Sequence, residues 1–308
     1  MQQSTTSHQV RRGHIILEEQ GLRDGLQMLP QPVPTEIKLE WISSLVRAGL
    51  KRLQIAAFVH PGLLPQMADA EIIFRALEQQ PGVVYSALAL NHKGVERAVA
   101  SGVRHLAISL SASNTHSLKN TRMDIETAKA DFVRNVKLAR KNNIVVRSGI
   151  QCAFGCRYEG AIPRERVYDL VRHHLDSGVE EIALADSTGM ANPWQVREMM
   201  EEVLALCGQV PVALHLHNTE NKGLANVFAA MDAGIRQFDT AFGGLGGCPF
   251  IRSATGNIAT EDTAHMLHQA GFTTGIDISG VAKVSIAAAG WLGHPLPGML
   301  YPLVAKDN

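Results

Sequence analysis

The chain has 308 residues, 45% of them hydrophobic, and its 29 basic side chains match its 29 acidic ones, for a formal charge of zero. That length suffices for one large α/β barrel with a full core, and the balanced charge offers no net positive field to hold a nucleic acid or an anionic membrane surface. Four cysteines, at 152, 156, 207 and 248, are too few for a disulfide scaffold in a chain this long, so reduced thiols in the cytoplasm are expected.

Residues 1–13 are polar, carry Arg11 and Arg12, and lack the apolar stretch of a signal peptide. They read as a flexible arm before a single domain over 14–308. No apolar run approaches the length that spans a bilayer. The first strand is expected at 14–19, followed by a helix that Thr35 caps and that runs to Arg47. Further β-branched runs predict strands at 52–57, 83–90, 105–110, 144–150, 181–185, 210–217 and 237–242. Helical periodicity is clearest at 124–142, 164–177, 193–206 and 224–232, and Gly49, Gly102, Gly178 and Gly234 stand where helices should end. Eight strands with helical crossovers predict a (β/α)₈ TIM barrel with a C-terminal helical extension. An open doubly wound sheet would place G-x-G-x-x-G after its first strand, whereas this chain has Gln20-Gly21-Leu22-Arg23-Asp24-Gly25.

A barrel of this kind carries its active site at the C-terminal ends of the strands. Those ends deliver Arg23 and Asp24, Gln54, Asp186 with Ser187 and Thr188, His215 with His217, and the loop Gly243-Gly244-Leu245-Gly246-Gly247-Cys248, with Asn257 beyond it. His215 and His217 are two apart on a strand, so both rings face one side and can share a cation. Alone, such a pair reads equally as two half-exposed polar residues; the carboxylate of Asp24 and the carbonyl of Asn257 favour a metal. Two nitrogens with several oxygens suit Mg²⁺ or Mn²⁺, and Zn²⁺ accepts the same donors. Arg23 reads either as a plain salt bridge to Asp24 or as a fixed cation for an oxygen that becomes negative. Cys248, in its glycine loop, is either a small packed side chain or a thiol suited to proton transfer. Cys152, Cys156 and Cys207 read as packing residues.

The motifs together resemble the hydroxymethylglutaryl-CoA lyases, within the wider metal-dependent lyases and Claisen-type synthases. The resemblance runs from about residue 15 to 275. It rests on 21–27 (GLRDGLQ), 152–160 (CAFGCRYEG), the His215/His217 pair, 243–250 (GGLGGCPF) and 254–262 (ATGNIATED). It implies that Asp24, His215, His217 and Asn257 bind the cation, that Arg23 stabilises an enolate oxygen, that Cys248 transfers a proton, and that Asp186 lies near the reacting centre. Gln27, Gln54, Asn114 and Gln151 are assigned to the substrate.

The departures are informative. Where the family carries a catalytic glutamate, this chain has Gln54, which cannot act as a base. Family serines appear as Ala57 and Ala183, and the aspartate after the second histidine as Asn218. The expected function is a metal-dependent carbon–carbon lyase that cleaves a 3-hydroxy acid or 3-hydroxyacyl-CoA and does not prefer hydroxymethylglutaryl-CoA. The alternatives are the reverse condensation and a catalytically weak acyl-binding homologue. The expected partners are a small hydroxy acid or acyl-CoA and a second copy of the chain, with no nucleic acid and no membrane.

Overall fold

The structure, a computed structural model, describes residues 13–247 and 256–304. The expected arm falls almost wholly outside these residues, as does Cys248. Eight parallel strands close into a barrel in chain order: β1 (Ile16–Glu19), β2 (Arg52–Ala57), β3 (Val84–Ala89), β4 (His105–Ser111), β5 (Val145–Gln151), β6 (Glu181–Asp186), β7 (Val212–Leu216) and β8 (Gln237–Thr240). Closure comes from β1, which pairs in parallel with both β2 and β8.

The helices that return the chain from strand to strand include α1 (Thr35–Arg47), α2 (Ala70–Ala76), α3 (His92–Ala100), α4 (Asn114–Thr121), α5 (Ile125–Lys141), α6 (Arg164–Asp176), α7 (Pro193–Cys207) and α8 (Gly223–Ala233). After β8 come α9 (Thr260–Gln269), α10 (Ile278–Leu292) and a short α11 (Tyr301–Val304). Apolar faces such as Ile42, Leu45 and Val46 on α1, or Val196, Met199 and Val203 on α7, are buried against the barrel, which is what supports amphipathic helices of this length. The glycines at the helix ends have positive φ, and a Cβ on Gly49 would lie 2.2 Å from the Gly275 carbonyl. Thr35 does not cap α1. It is the first helical residue, after Pro34, and its hydroxyl donates to Asp69 at 2.9 Å. No helix among the described residues is long and apolar enough to cross a membrane.

The barrel interior is ionic at its lower level. Glu18 on β1 bonds Arg52 on β2 at 2.7 Å and pairs with Arg147 on β5 at 3.0 Å. Arg52 reaches Glu181 on β6 at 2.7 Å, Glu181 meets His105 on β4 at 3.2 Å, and Ser86 on β3 donates to Glu18 at 3.1 Å. Arg147 also holds Asp239 on β8 at 2.7 Å, and Asp239 meets His215 on β7 at 3.2 Å. Each of the eight strands thus contributes one side chain to a single lattice. Such a buried network is tolerable only because nearly every charge has an opposite neighbour. Burial works against ionisation of Glu181, yet His105 and Arg52 hold its carboxyl down to about 2.

Candidate active site

Arg23 and Asp24 lie in a π-helical turn, Gly21–Gly25, just past β1. Glu19 anchors that turn: it accepts Gly21 N at 2.7 Å and Phe242 N at 3.0 Å, and Thr260 Oγ1 donates to its other oxygen at 2.7 Å. The turn is therefore tied to the start of the glycine loop and to α9. One Asp24 oxygen accepts from Arg23 at 2.5 Å and from Gln27 at 2.8 Å, and the other accepts from Asn257 Nδ2 at 2.8 Å. Burial opposes charge on Asp24, yet the Arg23 guanidinium and both imidazoles hold its carboxyl well below the usual range.

His215 and His217 turn to the same side, as alternation along β7 requires, and their Nε2 atoms stand 3.0 Å apart. His217 Nε2 is 3.5 Å from the Asp24 carboxylate, and one ligand atom from each of the three residues falls within 4.8 Å of the others. Asn257 Oδ1 is buried without a hydrogen-bond partner although its nitrogen has two. These observations fit a divalent cation. Facing ring nitrogens need a positive centre between them, an orphaned carbonyl needs a partner, and two nitrogens bound at about 2.1 Å at right angles lie about 3 Å apart. Asp24, His215, His217 and Asn257 are the residues that would hold it. Gly246 lets the loop press onto this group, since a Cβ there would meet Asn257 Nδ2 at 2.5 Å.

Asp239 was not singled out in the sequence, yet it fixes the imidazole of His215. An ionised carboxylate only accepts, so the 3.2 Å contact places the proton on His215 Nδ1 and frees Nε2 for a cation. Burial opposes charge on Asp239, and Arg147 and His215 keep its carboxyl low. Asp239→Asn should weaken Mn²⁺ binding by roughly 10- to 100-fold, read by electron paramagnetic resonance titration. Unchanged affinity in the folded variant would remove this role.

The cluster opens onto a cavity of about 180 Å³ lined on the other side by Leu88, Ala107, Gly149, Ile150 and Ala183. Arg23, Gln27, Gln54 and Gln151 also line it. Gln54 accepts from Arg23 Nε at 2.5 Å. Asn114 does not line the cavity; its carbonyl caps α5 by accepting Ile125 N at 3.1 Å. Asp186 is fully buried below the rim and accepts Met190 N at 3.1 Å and Ala191 N at 3.0 Å, so it braces the turn carrying Ser187, which does face the cavity. Among the described cysteines, Cys152, Cys156 and Cys207 are free and buried, and burial pushes Cys152 up to about 12.

Glu261 was also missed. It accepts Gly243 N at 3.0 Å and the Ser285 hydroxyl at 2.8 Å, fixing the base of the glycine loop. Burial pushes its carboxyl from 4.5 up to about 7. A raised carboxyl keeps its proton in the folded state after the unfolded chain has lost it. Its contribution to stability is therefore complete below about pH 4.5 and is lost as the pH rises through about 7. Glu261→Gln should flatten the fall in Tm between pH 5 and 8, measured by thermal unfolding; an unaltered slope would show that Glu261 does not titrate there.

With this geometry in hand, comparisons with known proteins are direct. The HMGL-like family matches residues 14–287. The (R)-citramalyl-CoA lyase of Chloroflexus aurantiacus is 39% identical, over 92% of this chain and 95% of its own. The hydroxymethylglutaryl-CoA lyase YngG of Bacillus subtilis is 37% identical, over 92% and 95%. An HMG-CoA lyase structure from Acinetobacter baumannii, in complex with coenzyme A and 3-methylmalate, superposes with a TM-score of 0.90 at 39% identity, covering 93% of this chain and 94% of that one. The family match, these identities and the Asp24–His215–His217 cluster agree: the chain belongs to the HMGL-like family and is a metal-dependent carbon–carbon lyase.

Proposed function

We propose that the protein cleaves a 3-hydroxyacyl-CoA between C2 and C3, releasing an aldehyde or ketone and a shorter acyl-CoA, and that hydroxymethylglutaryl-CoA is not its preferred substrate. The observation that carries this reading is the juxtaposition of the Asp24, His215, His217 and Asn257 cluster with Arg23 at one end of the cavity. A divalent cation bound there, Mg²⁺ or Mn²⁺ by its oxygen donors, supplies a Lewis acid that lowers the pKa of the substrate hydroxyl. Asp24, held ionised by Arg23, keeps the cluster in its binding form. As the hydroxyl proton passes to water in the cavity, C3 becomes a carbonyl and the electron pair of the C2–C3 bond passes to the thioester oxygen. Arg23 stabilises that oxygen as it becomes negative. Cys248, in the loop that begins beside the cluster, returns a proton to C2.

Relatives named for citramalyl-CoA and for hydroxymethylglutaryl-CoA differ in the acyl group, and this cavity offers Gln54 and Ala183 where the resemblance expects an acid and a hydroxyl. Each lost hydrogen bond to a charged group is worth about 1.5 to 3 kcal/mol. Mass spectrometry of the products from a panel of hydroxyacyl-CoA and free hydroxy acids, with Mg²⁺ or Mn²⁺, tests the reading. Highest kcat/KM for hydroxymethylglutaryl-CoA would sink the specificity claim, and cleavage of none would sink the whole.

A further inference from the structure

Gln54 occupies the wall of the cavity beside Arg23, and its chemistry there is fixed by its neighbour. A guanidinium has only donors, so the atom 2.5 Å from Arg23 Nε is the carboxamide oxygen. The amide nitrogen must then occupy the other branch. It makes no hydrogen bond within the protein, and it is not among the enclosed side-chain atoms left without a partner; its two N–H groups therefore face the cavity. Arg23 spends one N–H on each of Gln54, Asp24 and Gln20, the last at 3.0 Å, and a guanidinium has five. Two N–H groups remain for a ligand. The cavity wall next to the metal-binding cluster thus carries a cationic and a neutral donor side by side.

We propose that Gln54 is a catalytic hydrogen-bond donor, acting with Arg23 on the thioester oxygen of the substrate as that oxygen takes up the enolate charge. The assignment rests on the acyl-CoA reading above. Its chemical logic is that an amide donates where a carboxylate could only accept. Donors set beforehand around an oxygen that becomes negative lower the barrier more than they aid binding, because the bond strengthens as charge develops.

Enolate stabilisation can be measured apart from carbon–carbon cleavage, by exchange of the C2 hydrogens of acetyl-CoA in D₂O. In that exchange the C2–H bond breaks, its electron pair moves to the thioester oxygen, the proton passes to the group that protonates the enolate during cleavage, and a deuteron derived from solvent returns to C2. Gln54→Glu keeps an acceptor for Arg23 and removes the donor; Gln54→Met keeps the volume and removes both. Both variants should slow exchange and kcat by about 10- to 1,000-fold, with KM for the acyl-CoA changed less than about threefold and Mn²⁺ affinity unchanged. Exchange by Gln54→Glu at the parent rate, or a loss confined to KM, would overturn the donor role. So would a parent protein that cleaves a hydroxyacyl-CoA without catalysing exchange. A parent that does neither overturns the acyl-CoA reading itself and the inference with it. If Gln54→Met does not fold, Gln54→Glu alone decides.

Discussion

His215→Ala is expected to lose Mn²⁺ binding and lower kcat/KM by on the order of a thousandfold, since several kcal/mol of transition-state stabilisation depend on the cation. The size follows from what the ring touches. His215 Nε2 faces His217 Nε2 at 3.0 Å and its Nδ1 faces Asp239 at 3.2 Å, so the alanine variant removes one of the two nitrogens that would hold the cation and leaves a buried carboxylate without one of its partners. His217→Ala removes the other nitrogen and should act alike. Metal content by mass spectrometry, together with turnover in excess Mn²⁺, separates loss of affinity from loss of function. Full occupancy in either variant would mean that the paired histidines do not ligate the ion.

Arg23→Gln should lower kcat by about 100- to 1,000-fold while KM moves little, because in the proposed reaction the charge it contributes is needed mainly when the thioester oxygen becomes negative. Arg23→Lys should not restore the rate. Three of the Arg23 nitrogens reach Gln54, Asp24 and Gln20 from one rigid plane, and a lysine ammonium cannot reproduce that fork. Steady-state kinetics of both variants checks this; a lysine variant near the parent rate would show that charge suffices without geometry.

The fold was legible because strand and helix signals here are local. The run 52–57 became β2 without adjustment, the helix expected up to Arg47 ends there although it begins at Thr35 instead of being capped by it, and the glycines at 49, 102, 178 and 234 have the positive φ expected of helix ends. Errors fell at the ends of elements. Residues 210–217 looked like one strand, but β7 is Val212–Leu216, and His217 instead bridges to Asn257. In the site, the spacing of His215 and His217 on a strand sufficed to pair them. Asp239, Arg147, Glu19 and Glu261 were not found, because an acidic or basic residue inside a strand or at a helix start reads the same whatever lies across the barrel. One signal was available. Glu18, Arg52, His105, Arg147, Glu181, His215 and Asp239 each fall within a different expected strand, and so many ionisable side chains among apolar runs call for one another as partners.

The ionic lattice has a consequence for how the molecule comes into being. Its members are far apart in sequence, 129 residues between Arg52 and Glu181 and 92 between Arg147 and Asp239. A partly assembled barrel would enclose Glu18, Arg52 and Arg147 before Glu181 and Asp239 arrived, leaving charges stranded in a closing interior. Breaking a buried pair costs about 3 to 5 kcal/mol, so intermediates of four or five strands have little to hold them. The complete lattice can therefore form only once contacts between the first strand and the last are made. Because Asp239 on β8 orients His215, a cation held by this cluster would find its ligands only on the closed form and would add its binding energy to that form alone. A chain that stops before β8 should therefore keep neither its barrel nor its cation.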